Sequence, residues 1–139
     1  MTTAYPQEPD YSAYSVLAVD DIPLNLLLVE KMLSRFGFRL RKASGGQAAL
    51  DAVAEEKPDL ILLDLMMPGI DGFEVIRRLR SDPGTAGIRI IILSALNSNE
   101  DVARGFQEGA NDFIMKPIIM DKLVGSVLEN LQAASGKDV

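Results

Sequence analysis

The chain has 139 residues, 47% of them hydrophobic and 24% charged, with 14 Lys+Arg against 20 Asp+Glu and a net charge of −6. That is one domain with enough apolar surface for its own core, and its acidity argues against direct binding to nucleic acid or to a membrane surface. It has no cysteine and no histidine, which excludes disulfides, thiolate or histidine nucleophiles, phosphohistidine and Cys or His metal ligands within this chain.

Residues 1–14, with Pro6, Pro9, Ser12 and three tyrosines, show no period and read as a loose tail. No basic-then-apolar leader stands there and no apolar run reaches membrane length, so the cytoplasm is the expected location. Val16 to Val19 form a short apolar strand that stops on Asp20-Asp21. Pro23 then suits the first turn of a helix whose inward positions are Leu26, Val29, Leu33 and Phe36, with Gly37 as its stop. Phe38 to Lys42 alternate apolar and basic residues, as an edge strand with one wet face does. Ser44-Gly45-Gly46-Gln47 has the form of a capping box and opens a helix carrying Leu50, Val53 and Ala54.

From about Asp59 the run Leu60-Ile61-Leu62-Leu63 reads as a buried strand, and it delivers Asp64 to its end. Asp71 is placed to cap the next helix, with Val75, Ile76 and Leu79 inward and Asp82-Pro83-Gly84 as the break. Ile88 to Leu93 is the most β-branched run, closed by Ser94. Asn97 to Glu108 reads as a helix with Val102 and Phe106 inward. Asp112 to Met115 is a short strand ending at Lys116-Pro117, and the last helix spans about Asp121 to Gln132. The domain is therefore expected over 15–132, with 133–139 as a tail.

Five β-α units with short connections imply right-handed crossovers and one parallel sheet with helices on both faces. The strand order 2-1-3-4-5 fits, because the amphipathic second strand suits an edge and the first, third and fourth suit the middle. In such a sheet the site lies beyond the carboxyl ends of the strands. This chain places Asp20, Asp21, Asp64, Ser94 and Lys116 there. Crowded carboxylates repel, and a hard divalent cation removes that cost. Oxygen ligands alone select Mg²⁺, or Mn²⁺, over zinc. One carboxylate can then attack phosphorus, with the hydroxyl and the lysine as donors to the new phosphoryl oxygens.

The pieces Val19-Asp20-Asp21, Leu63 to Gly72, Ile92 to Ala95 and Asp112 to Pro117 resemble those of response-regulator receiver domains, the phospho-accepting half of two-component signalling. The intervals agree too, with 30 residues from Asp64 to Ser94 and 22 from Ser94 to Lys116. The resemblance covers about 15–132 and implies the flavodoxin-like receiver fold. It implies Asp64 as phosphoacceptor, Asp21 as a direct Mg²⁺ ligand, Asp20 acting through water and the Met66 backbone carbonyl as a further ligand. Lys116 would pair with the phosphoryl group, behind a cis peptide to Pro117. Ser94 and Phe113 would be the switch pair. A histidine kinase or histidine phosphotransfer protein is the implied donor, and the last two helices with strand five the face for a downstream partner. Dimerisation through the last helices is common in the family, and this sequence leaves it open.

Ser94 replaces the commoner threonine. Met66 and Leu96 are apolar beside the acceptor and the hydroxyl, which suggests a slowly hydrolysed phosphoryl group. Asn25, four residues after Asp21, resembles receivers attached to hybrid kinases and cyclases. The alternatives are a docking domain that works without phosphorylation, and an aspartate-nucleophile phosphatase of the haloacid dehalogenase type. The first would need a missing acid or lysine, and the second a D-x-D where Asp64-Leu65-Met66 stands. A dinucleotide fold lacks its G-x-G-x-x-G after the first strand.

Overall fold

The computed structural model describes residues 10–135. Its elements alternate throughout: β1 (Ser15–Val19), α1 (Pro23–Leu33) with a 3-10 turn at Ser34–Phe36, β2 (Arg39–Ala43), α2 (Gly46–Glu55), β3 (Leu60–Leu63), α3 (Gly72–Ser81), β4 (Arg89–Ser94), α4 (Asn99–Glu108), β5 (Asp112–Met115) and α5 (Met120–Ser135). All pairings are parallel and the order is β2-β1-β3-β4-β5, as the apolar runs predict.

Because side chains alternate along a strand, each central strand feeds two cores. Leu17, Val19, Ile61, Leu63, Ile90 and Ile92 face α2 and α3, packing with Val53, Phe73, Ile76 and Leu79. Val16, Ala18, Leu60, Leu62, Ile91 and Leu93 face α1 and α5, packing with Val29, Leu33, Leu123, Val127 and Leu131. Leu60 to Leu63 are buried on both faces, which is why β3 is written without a polar residue until Asp64.

Helix starts follow their caps. Pro23 occupies the first turn of α1. The Asp71 carboxylate accepts the Glu74 N–H at 2.9 Å, and Ser98 Oγ accepts the Asp101 N–H at 3.0 Å. The capping box expected at Ser44 does not form. Gly45 is the N-cap of α2, which puts Gln47 one position too early, and its side chain bonds Asp51 instead. α4 also departs from expectation. Starting at Asn99, it turns Gly105 inward and leaves Phe106 46% exposed, with Val102 half-buried.

Part of the expected loose arm is docked. The Tyr11 ring lies 6.0 Å from Phe36 and 5.4 Å from Phe38, and its N–H donates to the Phe36 carbonyl at 2.9 Å. Arg39 N–H donates to the Tyr14 carbonyl at 3.0 Å. α5 runs past Gln132 to Ser135. The expected tails at 1–9 and 136–139 lie outside the described residues.

One glycine ties β3 to α3. The Gly72 N–H donates to the Leu65 carbonyl at 3.0 Å, and a Cβ there would stand 2.5 Å from the Asp64 carbonyl oxygen and 2.8 Å from Leu65 Cα. Both obstacles are backbone, so the neighbours cannot swing aside. Gly72→Ala should therefore lower the free energy of urea unfolding by about 1–3 kcal/mol, the usual cost of overpacking. An unchanged denaturation midpoint would contradict this.

Candidate functional site

Strand register brings the predicted residues together. Val19 pairs with Leu63 across β1 and β3, so Asp20 and Asp64 leave neighbouring strands side by side, and the Asp64 N–H donates to the Val19 carbonyl at 3.0 Å. One carboxylate oxygen from each of Asp20, Asp21 and Asp64 lies within 4.8 Å of the others. From β5, at the sheet edge, the Lys116 N–H donates to the Ser94 carbonyl at 2.8 Å. Its ammonium stands 3.0 Å from Asp20 Oδ2 and 3.8 Å from Asp64 Oδ1. The Lys116–Pro117 peptide is cis.

Asp20 is buried and well held. Its Oδ1 accepts the Ile22 N–H at 2.9 Å, while Oδ2 accepts from Asn25 Nδ2 at 3.1 Å as well as from Lys116. Asp64 is also buried. Burial pushes its carboxyl above the usual carboxylate range, and the Asp20 charge pushes the same way. Lys116 and the N–H groups of Met66 and Leu65 oppose that rise without overcoming it. Three hard oxygen donors with one lysine fit Mg²⁺ or Mn²⁺ by charge and donor type.

Ser94 is fully buried, and its hydroxyl accepts the Leu96 N–H at 3.1 Å. Phe113 is half-buried against Ile92's side of the sheet, its ring close under Gly105 of α4, where a Cβ would meet it at 3.1 Å. Met66 is 61% exposed, and with Leu96, Phe73 and Arg104 it lines a cavity beside the acceptor loop. The contact of Asn25 with Asp20 was not legible from the chain, since nothing in one dimension says which way an asparagine in a first helical turn will reach.

The response regulator receiver domain family model matches residues 16–128. Response regulator PleD of Caulobacter vibrioides is 44% identical over 103 residues, which are 74% of this chain and 23% of PleD. Protein PilH of Pseudomonas aeruginosa is 33% identical over 112 residues, 81% of this chain and 93% of PilH. The receiver domain of a signal transduction histidine kinase from Syntrophus aciditrophicus superposes with a TM-score of 0.83 at 30% identity, covering 90% of this chain and 95% of that one. The chain thus spans about a quarter of the length of PleD, and about half of several regulators that it also matches.

The raised Asp64 value has a consequence for stability. The folded chain binds this proton more tightly than the unfolded one, so stability falls as pH rises from the unfolded carboxylate value through the folded one. Above that window the ionised acid is a standing cost. Without divalent cations, Asp64→Asn should melt a few degrees above wild type at neutral pH. The gain should vanish below the usual carboxylate range, where Asp64 is protonated in both states. Melting curves across pH test this, and a gain that persists at low pH would contradict it.

Proposed function

The chain belongs to the response regulator receiver domain family, and from that membership we propose that it is a switch phosphorylated on Asp64 by a phosphohistidine of a histidine kinase or histidine phosphotransfer protein. The observation that carries this reading is the convergence of Asp20, Asp21 and Asp64 within 4.8 Å, faced by the single ammonium of Lys116. Such crowding is costly for a fold and serves a site that takes a divalent cation and a phosphoryl group.

Asp21 and Asp64, with the Met66 carbonyl, would hold Mg²⁺ directly, and Asp20 through water. The ion, when bound, offsets the repulsion among the acids and draws charge from the phosphoryl oxygens. An Asp64 carboxylate oxygen attacks phosphorus, the P–N bond to the donor imidazole breaks, and its electron pair stays on the ring nitrogen, which takes up a proton. The product is an acyl phosphate on Asp64. Lys116 turns from Asp20 to a phosphoryl oxygen. Ser94 gives up the Leu96 N–H and donates its hydroxyl hydrogen to another. The space that Ser94 leaves draws Phe113 inward, and the change reaches α4, β5 and α5, where a downstream protein binds. The reaction makes the domain a signalling switch more than a catalyst.

Exposed Leu24, Leu28, Ile119 and Met120 flank this rim, and Asn25, Leu28, Met32, Pro117 and Ile118 line a groove of about 460 Å³ beside Lys116. That apolar ground suits a donor protein better than a membrane or nucleic acid. Among the described residues no helix is long and apolar enough to cross a membrane; the proposed location is the cytoplasm. The docking-only reading gains nothing here, since no acid or lysine of the set is missing. The phosphatase reading needs a second acid where Met66 stands.

With acetyl phosphate and Mg²⁺, mass spectrometry should show one phosphoryl group on the wild type and none on Asp64→Asn. Lys116→Ala should slow incorporation by about 10²–10³-fold, the usual cost of removing one such donor. If the apolar Met66 and Leu96 side chains keep a hydrolytic water from the acyl phosphate, as proposed, the label should leave slowly from the purified protein. No Mg²⁺-dependent incorporation by the wild type would sink this reading in favour of docking alone.

A further inference from the structure

We infer that Asn25 is a positioning residue for the phosphoryl-accepting reaction, acting through Asp20 to release Lys116. This inference rests on the reading of Asp64 as phosphoacceptor and gives a part in the reaction to a residue so far placed only in the groove beside Lys116. Lys116 Nζ is closer to Asp20 Oδ2, at 3.0 Å, than to Asp64 Oδ1, at 3.8 Å. The lysine therefore begins on the wrong acid. To reach a phosphoryl group on Asp64 it must loosen its hold on Asp20.

Asp20 is only 6% exposed, so apart from the metal-bound water through which it would hold the ion, little solvent can replace a departing donor. An oxygen left bare there would pull the lysine back. Asn25 answers that need. Its Nδ2 donates at 3.1 Å to Oδ2, the same atom that Lys116 holds, while the Ile22 N–H serves Oδ1 at 2.9 Å. When Lys116 turns away, each Asp20 oxygen still has one donor. Because the amide is neutral, it satisfies the oxygen without adding a charge that would compete with the cation or the phosphoryl group.

Local structure keeps the amide in reach. Pro23 opens α1, and the Asn25 N–H donates to the Ile22 carbonyl at 3.0 Å. The first turn of α1 is thereby fixed to the loop that carries Asp20 and Asp21. Asn25 is half-buried at the rim of the core that α1 covers, beside Leu26 and Val29, so its truncation removes a polar group and no apolar side chain.

The test separates metal binding from phosphoryl binding. Calorimetry would measure Mg²⁺ affinity, and a second titration the affinity for beryllofluoride, a phosphoryl stand-in, in excess Mg²⁺. Asn25→Ala should keep Mg²⁺ affinity within about twofold and lower beryllofluoride affinity by about tenfold, with the melting temperature lowered by no more than the few degrees that one hydrogen bond to Asp20 accounts for. Asn25→Asp has nearly the same shape but puts a negative charge where the donor stood, and should lose at least as much beryllofluoride affinity. Unchanged beryllofluoride binding in Asn25→Ala, wild-type binding in Asn25→Asp, or a loss matched by weaker Mg²⁺ binding would each overturn the inference. Wild-type protein that ignores beryllofluoride would fail the phosphoacceptor reading first, and this one with it.

Discussion

Three carboxylates held within 4.8 Å of one another and faced by one lysine set the terms for the rest of this molecule. Left in an unfolded chain those acids would sit in water and repel weakly. The fold instead buries Asp20 and Asp64 at the ends of two adjacent strands, where desolvation and mutual repulsion add. Only a deep apolar sheet can hold them there, and Leu60 to Leu63, with Ile90 to Ile92, supply that depth. The counter-charge comes from 96 residues further along the chain than Asp20, so the site closes only when the whole domain has folded.

Against that rigid centre, α4 is held lightly. It presses on the sheet through Gly105 and not through a large apolar side chain. Its other ties include the Arg104 guanidinium 3.9 Å over the Phe73 ring, the Arg77 to Glu108 pair at 2.6 Å and, at its C-cap, the Arg80 Nε–H donating to the Gly109 carbonyl at 2.9 Å. Exposed ion pairs are weak holds in water. A helix anchored in this way can shift without breaking the core, whereas β1, β3 and β4 cannot. The Phe113 ring lies directly under Gly105, so any movement of that ring meets the least anchored helix first.

The fold was legible because its signals are coarse and redundant. A run such as Ile88 to Leu93 can only be a buried strand, and five such runs separated by helical periods leave little choice of architecture. The rim residues were legible for the same reason, since each polar group ends an apolar strand. What stayed hidden depends on a single residue of phase or on a direction in space. Shifting the start of α2 by one residue takes Gln47 out of its box, and starting α4 at Asn99 leaves Phe106 half in solvent. Tyr11 docks on Phe36 and Phe38 although nothing periodic marks residues 10–14. Ser126 and Asn130 are buried within α5, bonded to Asp112 and Arg89. In sequence they look like ordinary polar positions on a wet face.

Strand order also divides the labour of the site. Asp64 leaves β3, the middle strand, with Asp20 and Asp21 from β1 on one side and Ser94 and Lys116 from β4 and β5 on the other. On the proposed reading, a phosphoryl group on Asp64 would be met by a metal-holding side and a hydrogen-bonding side, joined across the acceptor by the Lys116–Asp20 ion pair at 3.0 Å. The first side would serve the proposed chemistry without moving, because β1 is flanked by β2 and β3. The second side ends at β5, which has no neighbour beyond it in the sheet and carries exposed Met115. On that reading, strain from a phosphoryl group on Asp64 would meet stiff packing on the β1 side and the sheet edge on the β5 side, and so would run outward through Ser94, Lys116 and Phe113.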